Sequence, residues 1–443
     1  MANRKDPMGI GLAVLNRIAS SPAIDKLGLR KATERAVYQG AKSGFQVAGA
    51  ANRTFKKRKG SGDPQRLGKT SDSGVFDLTP TEDQQMIVGV VEEFAAEVLR
   101  PGADAAEQDN TTPAEVLQQT SEFGLTLLNI PESLGGLSEE RSAVTGVLVA
   151  EALAYGDMGQ AVACLAPAAV ATAVSLWGSD AQQQTYLEAF TGDDAPVSAL
   201  AIAEPRPLFD PLDLQTTATR TATGWRLNGV KSAVVRGAAA ELFVVSAEVE
   251  EAPGVSRGPG LFLIESSTAG LTIQDDPSMG LRAAGLSRLV LTDVEVPADA
   301  VLGEGSTDDY RECIRLSRLA WAGLALGTAK AVLDYTKEYV KTREAFGEPI
   351  AYRQSVAFMV ANIAIELEGM RLVTLKAASR AEQGLDCSRE VALARKLTAE
   401  YGMKIGTDGV QLLGGHGFVK EHPVERWYRD LRAIAVMEGA VLV

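Results

Sequence analysis

The residue of this chain best placed to do chemistry is Glu438, in the run Ala433-Ile434-Ala435-Val436-Met437-Glu438-Gly439-Ala440. A carboxylate among apolar neighbours loses hydration on folding. That raises its affinity for protons and suits it to removing one from carbon. Spacing alone also allows a solvated or ion-paired glutamate near a chain end. The only two histidines, His416 and His422, stand at i and i+6 and so do not share a helical face, which argues against a zinc pair. Cys164, Cys313 and Cys387 are too far apart for a local metal motif and too few for a disulfide framework. A reducing compartment is expected.

Glu438 closes a series of four motifs. Arg343-Glu344-Ala345-Phe346-Gly347-Glu348-Pro349-Ile350 has the form R-x-x-F-G-x-P-I, and Gln411-Leu412-Leu413-Gly414-Gly415-His416-Gly417 has the form Q-x-x-G-G-x-G. Tyr428-Arg429-Asp430 and Glu438-Gly439 follow. Upstream stand Leu78-Thr79-Pro80-Thr81-Glu82-Asp83-Gln84-Gln85, Pro131-Glu132-Ser133-Leu134-Gly135-Gly136, Ala203-Glu204-Pro205, Leu227-Asn228-Gly229-Val230-Lys231 and Asp293-Val294-Glu295-Val296-Pro297. In these runs and their order the chain resembles the acyl-CoA dehydrogenase family over roughly residues 76 to 443.

The resemblance implies removal of two hydrogens from an acyl-CoA thioester to give the trans-2-enoyl product, with FAD as hydride acceptor and an electron-transfer flavoprotein as the next carrier. Glu438 is then the base. Its own N–H, with a ribityl hydroxyl of the flavin, is the implied donor to the developing enolate oxygen. Some members carry the base at the position of Ser317, which cannot serve, leaving Glu438 as the candidate at either place. Arg318 and Gly439 are implied on the substrate side, although Arg318 could equally pair with a core carboxylate. Arg343 is implied to grip the FAD pyrophosphate, as a planar, permanently charged guanidinium can. Phe346, Gln354, Gln411, Gly414 and Gly415 hold the rest of the dinucleotide, with Ala203 and Val235 at the flavin ring. These contacts cross a dimer interface in the family, so a homo- or hetero-oligomer, dimer or tetramer, is implied.

Departures from the family pattern gather at the flavin ring. The family's T-E-P-x-A-G-S-D reads Ala203-Glu204-Pro205-Arg206-Pro207-Leu208-Phe209-Asp210, and its aromatic-Ile-Thr reads Ala233-Val234-Val235. Two hydroxyl donors are lost. Ala440 and Leu442 are apolar where the family carries polar flavin contacts. Two readings follow: an FAD-dependent acyl-CoA dehydrogenase with an unusually apolar flavin pocket, or a weak or inactive homologue acting as partner subunit of a hetero-oligomer. An acyl-CoA oxidase on the same scaffold is a third option.

These residues need a large scaffold, and 443 residues with 46% apolar content supply a core for two or three domains. Residues 1–70 carry 15 Lys and Arg against 4 Asp and Glu, although the whole chain has a net charge of −13. Within this arm, residues 8–15 are apolar but too short to span a bilayer. Residues 27–51 read as a surface-lying amphipathic helix, or else as a solvated arm, and Lys56-Lys57-Arg58-Lys59 could meet anionic headgroups. A cleaved transit peptide fits too. The acidic body argues against nucleic acid. The location implied is cytoplasmic, with peripheral membrane contact, or the mitochondrial matrix in a eukaryote. A Gly/Ser/Pro-rich linker ends near residue 75. Helical periodicity covers 76–196, with breaks at Pro101 and Asn110-Thr111-Thr112-Pro113. Short strands between turns cover 197–305, read as a small antiparallel barrel or sandwich, and helical periodicity returns over 306–443. The fold class expected is a multidomain α+β protein: helical domain, middle β domain, C-terminal helical bundle.

Overall fold

The computed structural model describes residues 78–137, 141–192 and 195–441; the expected basic arm and linker lie outside them. The first helix, α1 (Glu82–Phe94), starts where the Thr-x-x-Gln spacing allows a reciprocal cap. Thr81 Oγ1 accepts the Gln84 N–H at 3.2 Å and Gln84 Oε1 accepts the Thr81 N–H at 3.0 Å. Pro101 does not break the run. A π-type turn (Ala95–Leu99) shifts the hydrogen-bond register, so the proline enters at the start of α2 (Arg100–Asp109), where its ring and missing N–H are tolerated. The break comes at Asn110, with φ 53°, and α3 (Ala114–Glu122) begins after Pro113.

Helices α4 (Ala143–Gly156) and α5 (Met158–Trp177) meet at Asp157, whose carboxylate caps α5 by accepting the Gln160 N–H at 3.0 Å. By length and composition α5 could cross a bilayer, but it is mostly buried inside the protein. Its apolar character is that of a central core helix.

The middle segment forms one sheet from β1 (Ser198–Ala201), β2 (Thr217–Arg220), β3 (Gly224–Val234), β4 (Leu242–Ala252), β5 (Val255–Glu265), β6 (Leu271–Asp275), β7 (Ser287–Pro297) and β8 (Val301–Leu302). The order is β6-β7-β3-β2-β4-β5-β8, with β1 beside β4. Two expectations are corrected here. The sheet is open rather than a closed barrel, its short edge strands β6 and β8 lying at opposite ends. It is also mixed: β4 returns on the far side of β2, skipping β3, and so runs parallel to β2 and to β1.

The C-terminal part consists of α6 (Thr307–Thr342), α7 (Gln354–Glu382), α8 (Ser388–Leu413) and α9 (Val424–Leu431). The helical periodicity expected over 306–443 is interrupted by a hairpin of β9 (Glu344–Ala345) and β10 (Glu348–Pro349). Phe346 and Gly347, with φ 57° and 84°, form its tip, a backbone that no α-helix accommodates. Leu153 of α4, Leu326 of α6, Met370 of α7 and Trp427 of α9 share one core.

Glycine brings α4 and α6 together: a Cβ at Gly327 would overlap the Glu151 carbonyl oxygen, and one at Gly323 would meet the Ala150 Cβ at 3.1 Å. Gly327→Ala is expected to destabilise the protein by about 1–3 kcal/mol, seen as a lower denaturant midpoint. Asp430 of α9 ties the sheet to the helices by accepting the Leu281 N–H at 2.7 Å. Burial, then the neighbouring Asp157 carboxylate, push Asp430 up to about 7. An unfolded Asp releases its proton near pH 4, so between these values the folded state binds more protons and stability falls as pH rises. Asp430→Asn keeps an acceptor for Leu281 and is expected to flatten that slope, read by urea unfolding at about pH 5 and about pH 7.5.

Candidate active site

After α9 the chain runs through a short 3-10 segment (Arg432–Ala435) and turns sharply, with Glu438 at φ 55° and Gly439 at φ 102°. A non-glycine residue in this region costs on the order of 1–3 kcal/mol, so the surroundings must impose it. Arg318 of α6 donates to the Glu438 carbonyl from Nη2 at 2.8 Å and Nε at 3.2 Å. Arg395 of α8 donates to the next carbonyl, that of Gly439, and the Ala440 N–H donates to the Phe209 carbonyl at 2.8 Å. Only glycine fits at 439, where a Cβ would lie 2.5 Å from Pro211 Cδ. Burial lowers the proton affinity of Arg318, with the Glu438 charge acting in opposition. Burial, and then Arg318, bring Arg395 down to about 10.

This turn buries the Glu438 side chain to 5% exposure. Ser317 donates its hydroxyl to Glu438 Oε1 at 2.7 Å, while Oε2 is buried with no partner. Among the described residues the Glu438 N–H also has no acceptor. Glu438 borders a cavity of about 210 Å³ whose walls include Ala233 from β3 and Val235 from the turn after it, Leu165 and Ala169 from α5, and Ser317 and Trp321 from α6. A buried orphan oxygen at the edge of an apolar cavity fits a group that a bound molecule completes.

The two segments expected at the flavin ring lie side by side. The Ser232 N–H donates to the Ala203 carbonyl at 2.9 Å, and Lys231 Nζ donates to Glu204 Oε1 at 3.0 Å, Ser246 Oγ at 2.9 Å and the Ile202 carbonyl at 3.2 Å. Glu204 also accepts the Gln215 and Thr216 N–H groups, each at 2.9 Å. Burial pulls Lys231 down to about 8, with the Glu204 charge opposing it. Val235 lines the cavity, and Ala203 packs against a neighbouring apolar cluster.

The remaining predicted cofactor residues lie elsewhere. Arg343, Gln354, Gln411, Gly414 and Gly415 are exposed, as is Phe346 at 97%. Arg343 caps the far end of α6, 26 residues beyond Ser317 and so about 39 Å along the helix at 1.5 Å per residue. Among the described residues its guanidinium has no ion-pair partner. His416 and His422 lie close together despite their spacing, because a 3-10 turn and loop, not a helix, connect them. Their rings stack at 5.3 Å, with Nδ1 of each bonded to the hydroxyl of Tyr339 or Tyr335. Among the described residues no cluster of three or more His, Cys, Asp or Glu could hold a metal.

Sequence reasoning missed Arg395 and the contact made by Ser317. Arg395 carried a faint signal, since it shares the period of the buried Val391, Ala394 and Thr398 on α8.

Three family models match in register: acyl-CoA dehydrogenase N-terminal domain over residues 81–193, middle domain over 199–294 and C-terminal domain over 308–441. The chain is 30% identical over 362 residues to the short-chain specific mitochondrial acyl-CoA dehydrogenase of Rattus norvegicus, covering 81% of this chain and 87% of that one. It superimposes on butyryl-CoA dehydrogenase from Megasphaera elsdenii with a TM-score of 0.77 at 28% identity, covering 83% of this chain and 97% of the other. An FAD complex of PigA aligns with a TM-score of 0.76 at 26% identity, covering 83% and 96%. The buried orphan oxygen of Glu438, its unengaged N–H and the largely apolar cavity fit a flavin ring and a thioester, and Arg343, at the far end of α6, does not line that cavity. The chain therefore belongs to the acyl-CoA dehydrogenase family of FAD-dependent oxidoreductases.

Proposed function

We propose that this chain catalyses α,β-dehydrogenation of an acyl-CoA thioester to the trans-2-enoyl-CoA, with Glu438 as the base. The observation that carries the reading is the pairing, in one residue at one cavity, of a buried carboxylate oxygen and a backbone N–H that both lack partners. The N–H is suited to donate to the thioester oxygen as charge develops there while Oε2 takes the α-proton. The apolar walls exclude water, which strengthens both interactions. Arg318 and Arg395 hold the backbone of this turn, so the base meets substrate without reorganising. FAD, when bound, supplies the acceptor for the hydride from the β-carbon, and an electron-transfer flavoprotein is the proposed next carrier.

Arg343 is too far along α6 to serve the cavity of its own chain. The pyrophosphate role proposed for it, with Phe346, Gln354, Gln411, Gly414 and Gly415, is therefore directed to a second subunit. Exposed Phe346, Tyr352, Phe358, Ile365 and Phe418 give this end of the helices an apolar surface of the kind that oligomers cover. A cytoplasmic location belongs to the same reading and draws support from three buried free cysteines; the membrane contact proposed for the basic arm rests on its charge alone.

The methyl groups of Ala203 and Val235, where the family carries hydroxyls, favour the second reading, a partner subunit that completes a flavin site on another chain. The visible spectrum of the protein purified alone separates the two. Yellow protein that bleaches with an acyl-CoA supports the enzyme, and protein that stays colourless with added FAD supports the partner subunit. Glu438→Gln is expected to keep its flavin and slow bleaching by about 100- to 10,000-fold. Arg343→Ala is expected to weaken FAD retention by about tenfold or more, read by equilibrium dialysis.

A further inference from the structure

We propose that Ser317 is a positioning residue that selects the working oxygen of the base, an inference that rests on the reading of Glu438 given above. Ser317 precedes Arg318 on α6, and the two adjacent residues engage different parts of Glu438. Ser317 Oγ donates to carboxylate Oε1 at 2.7 Å, and Arg318 grips the backbone carbonyl. Arg395 holds the Gly439 carbonyl. Among the described residues the serine hydroxyl is therefore the one hydrogen bond to the carboxylate itself, and Oε2 is left buried and unpaired.

A hydrogen bond to one oxygen of a carboxylate stabilises the anion, fixes the plane of the group and engages the electron density of that oxygen. Proton transfer then falls to the other oxygen. Ser317 thus sets which oxygen meets the α-carbon.

The charged and titratable groups facing Glu438 are Tyr310, Cys313 and Arg318 of α6 and Arg395 of α8, with Asp210 acting through Arg318. Burial pushes Tyr310 and Cys313 upward, so both stay protonated through the neutral range, and the two arginines stay charged there.

The test uses the full-length holoprotein and acetoacetyl-CoA, whose acidic α-carbon forms an ultraviolet-absorbing enolate without turnover. In Ser317→Ala the rate of enolate formation is expected to fall about tenfold, because the carboxylate has lost the donor that fixes its plane. Steady-state kinetics of the same variant are expected to show kcat about tenfold lower with KM nearly unchanged, since the missing bond acts on the base and not on substrate binding. Ser317→Thr, which keeps a hydroxyl, restores both values. A Ser317→Ala rate equal to wild type, or a loss that Ser317→Thr fails to rescue, overturns the proposal while leaving the base in place. If wild type forms no enolate and Glu438→Gln matches it, the reading of Glu438 fails, and this inference with it.

Discussion

A left-handed turn at Glu438 and Gly439 is the constraint on which the rest of the site depends. A non-glycine residue with positive φ carries an energetic cost that other parts of the chain must offset. Here the offset comes from three directions: Arg318 from α6, Arg395 from α8 and the Phe209 carbonyl from the loop after β1. Helices far apart in sequence therefore have to be packed together before this turn exists. The glycine contacts between α4 and α6 show how that packing is achieved.

The Lys231–Glu204 pair performs the same task on the sheet side. It is fully buried, so its net contribution to stability is small, yet removing either partner would strand a charge. Its effect is positional. It anchors the segment from Ala203 to Asp210 against β3 and brings the Phe209 carbonyl within reach of Ala440.

Much of this organisation was legible in the sequence because it rests on local rules. The break at Asn110 follows from turn chemistry, and the succession of helices, sheet and helices from periodicity. Glu438 stood out because a charged residue in an apolar run must be either buried or misplaced. What could not be read is tertiary. Ser317 was identified as unable to act as a base, but its bond to Glu438 joins residues 121 positions apart. Arg395 looks like one more arginine on a helix until α8 is docked. The open, mixed sheet depends on which side of β2 the returning strand β4 chooses, and alternation within each strand does not encode that. The stacking of His416 and His422 follows from a loop path that no helical wheel describes.

Removal of the α-proton of a CoA thioester by the Glu438 carboxylate is read by solvent deuterium incorporation at the α-carbon of an acyl-CoA blocked at its β-carbon, so that exchange proceeds without oxidation. Exchange is expected with the wild-type protein and its loss in Glu438→Gln. Exchange undiminished in that variant, or absent with wild type, means that Glu438 is not the base.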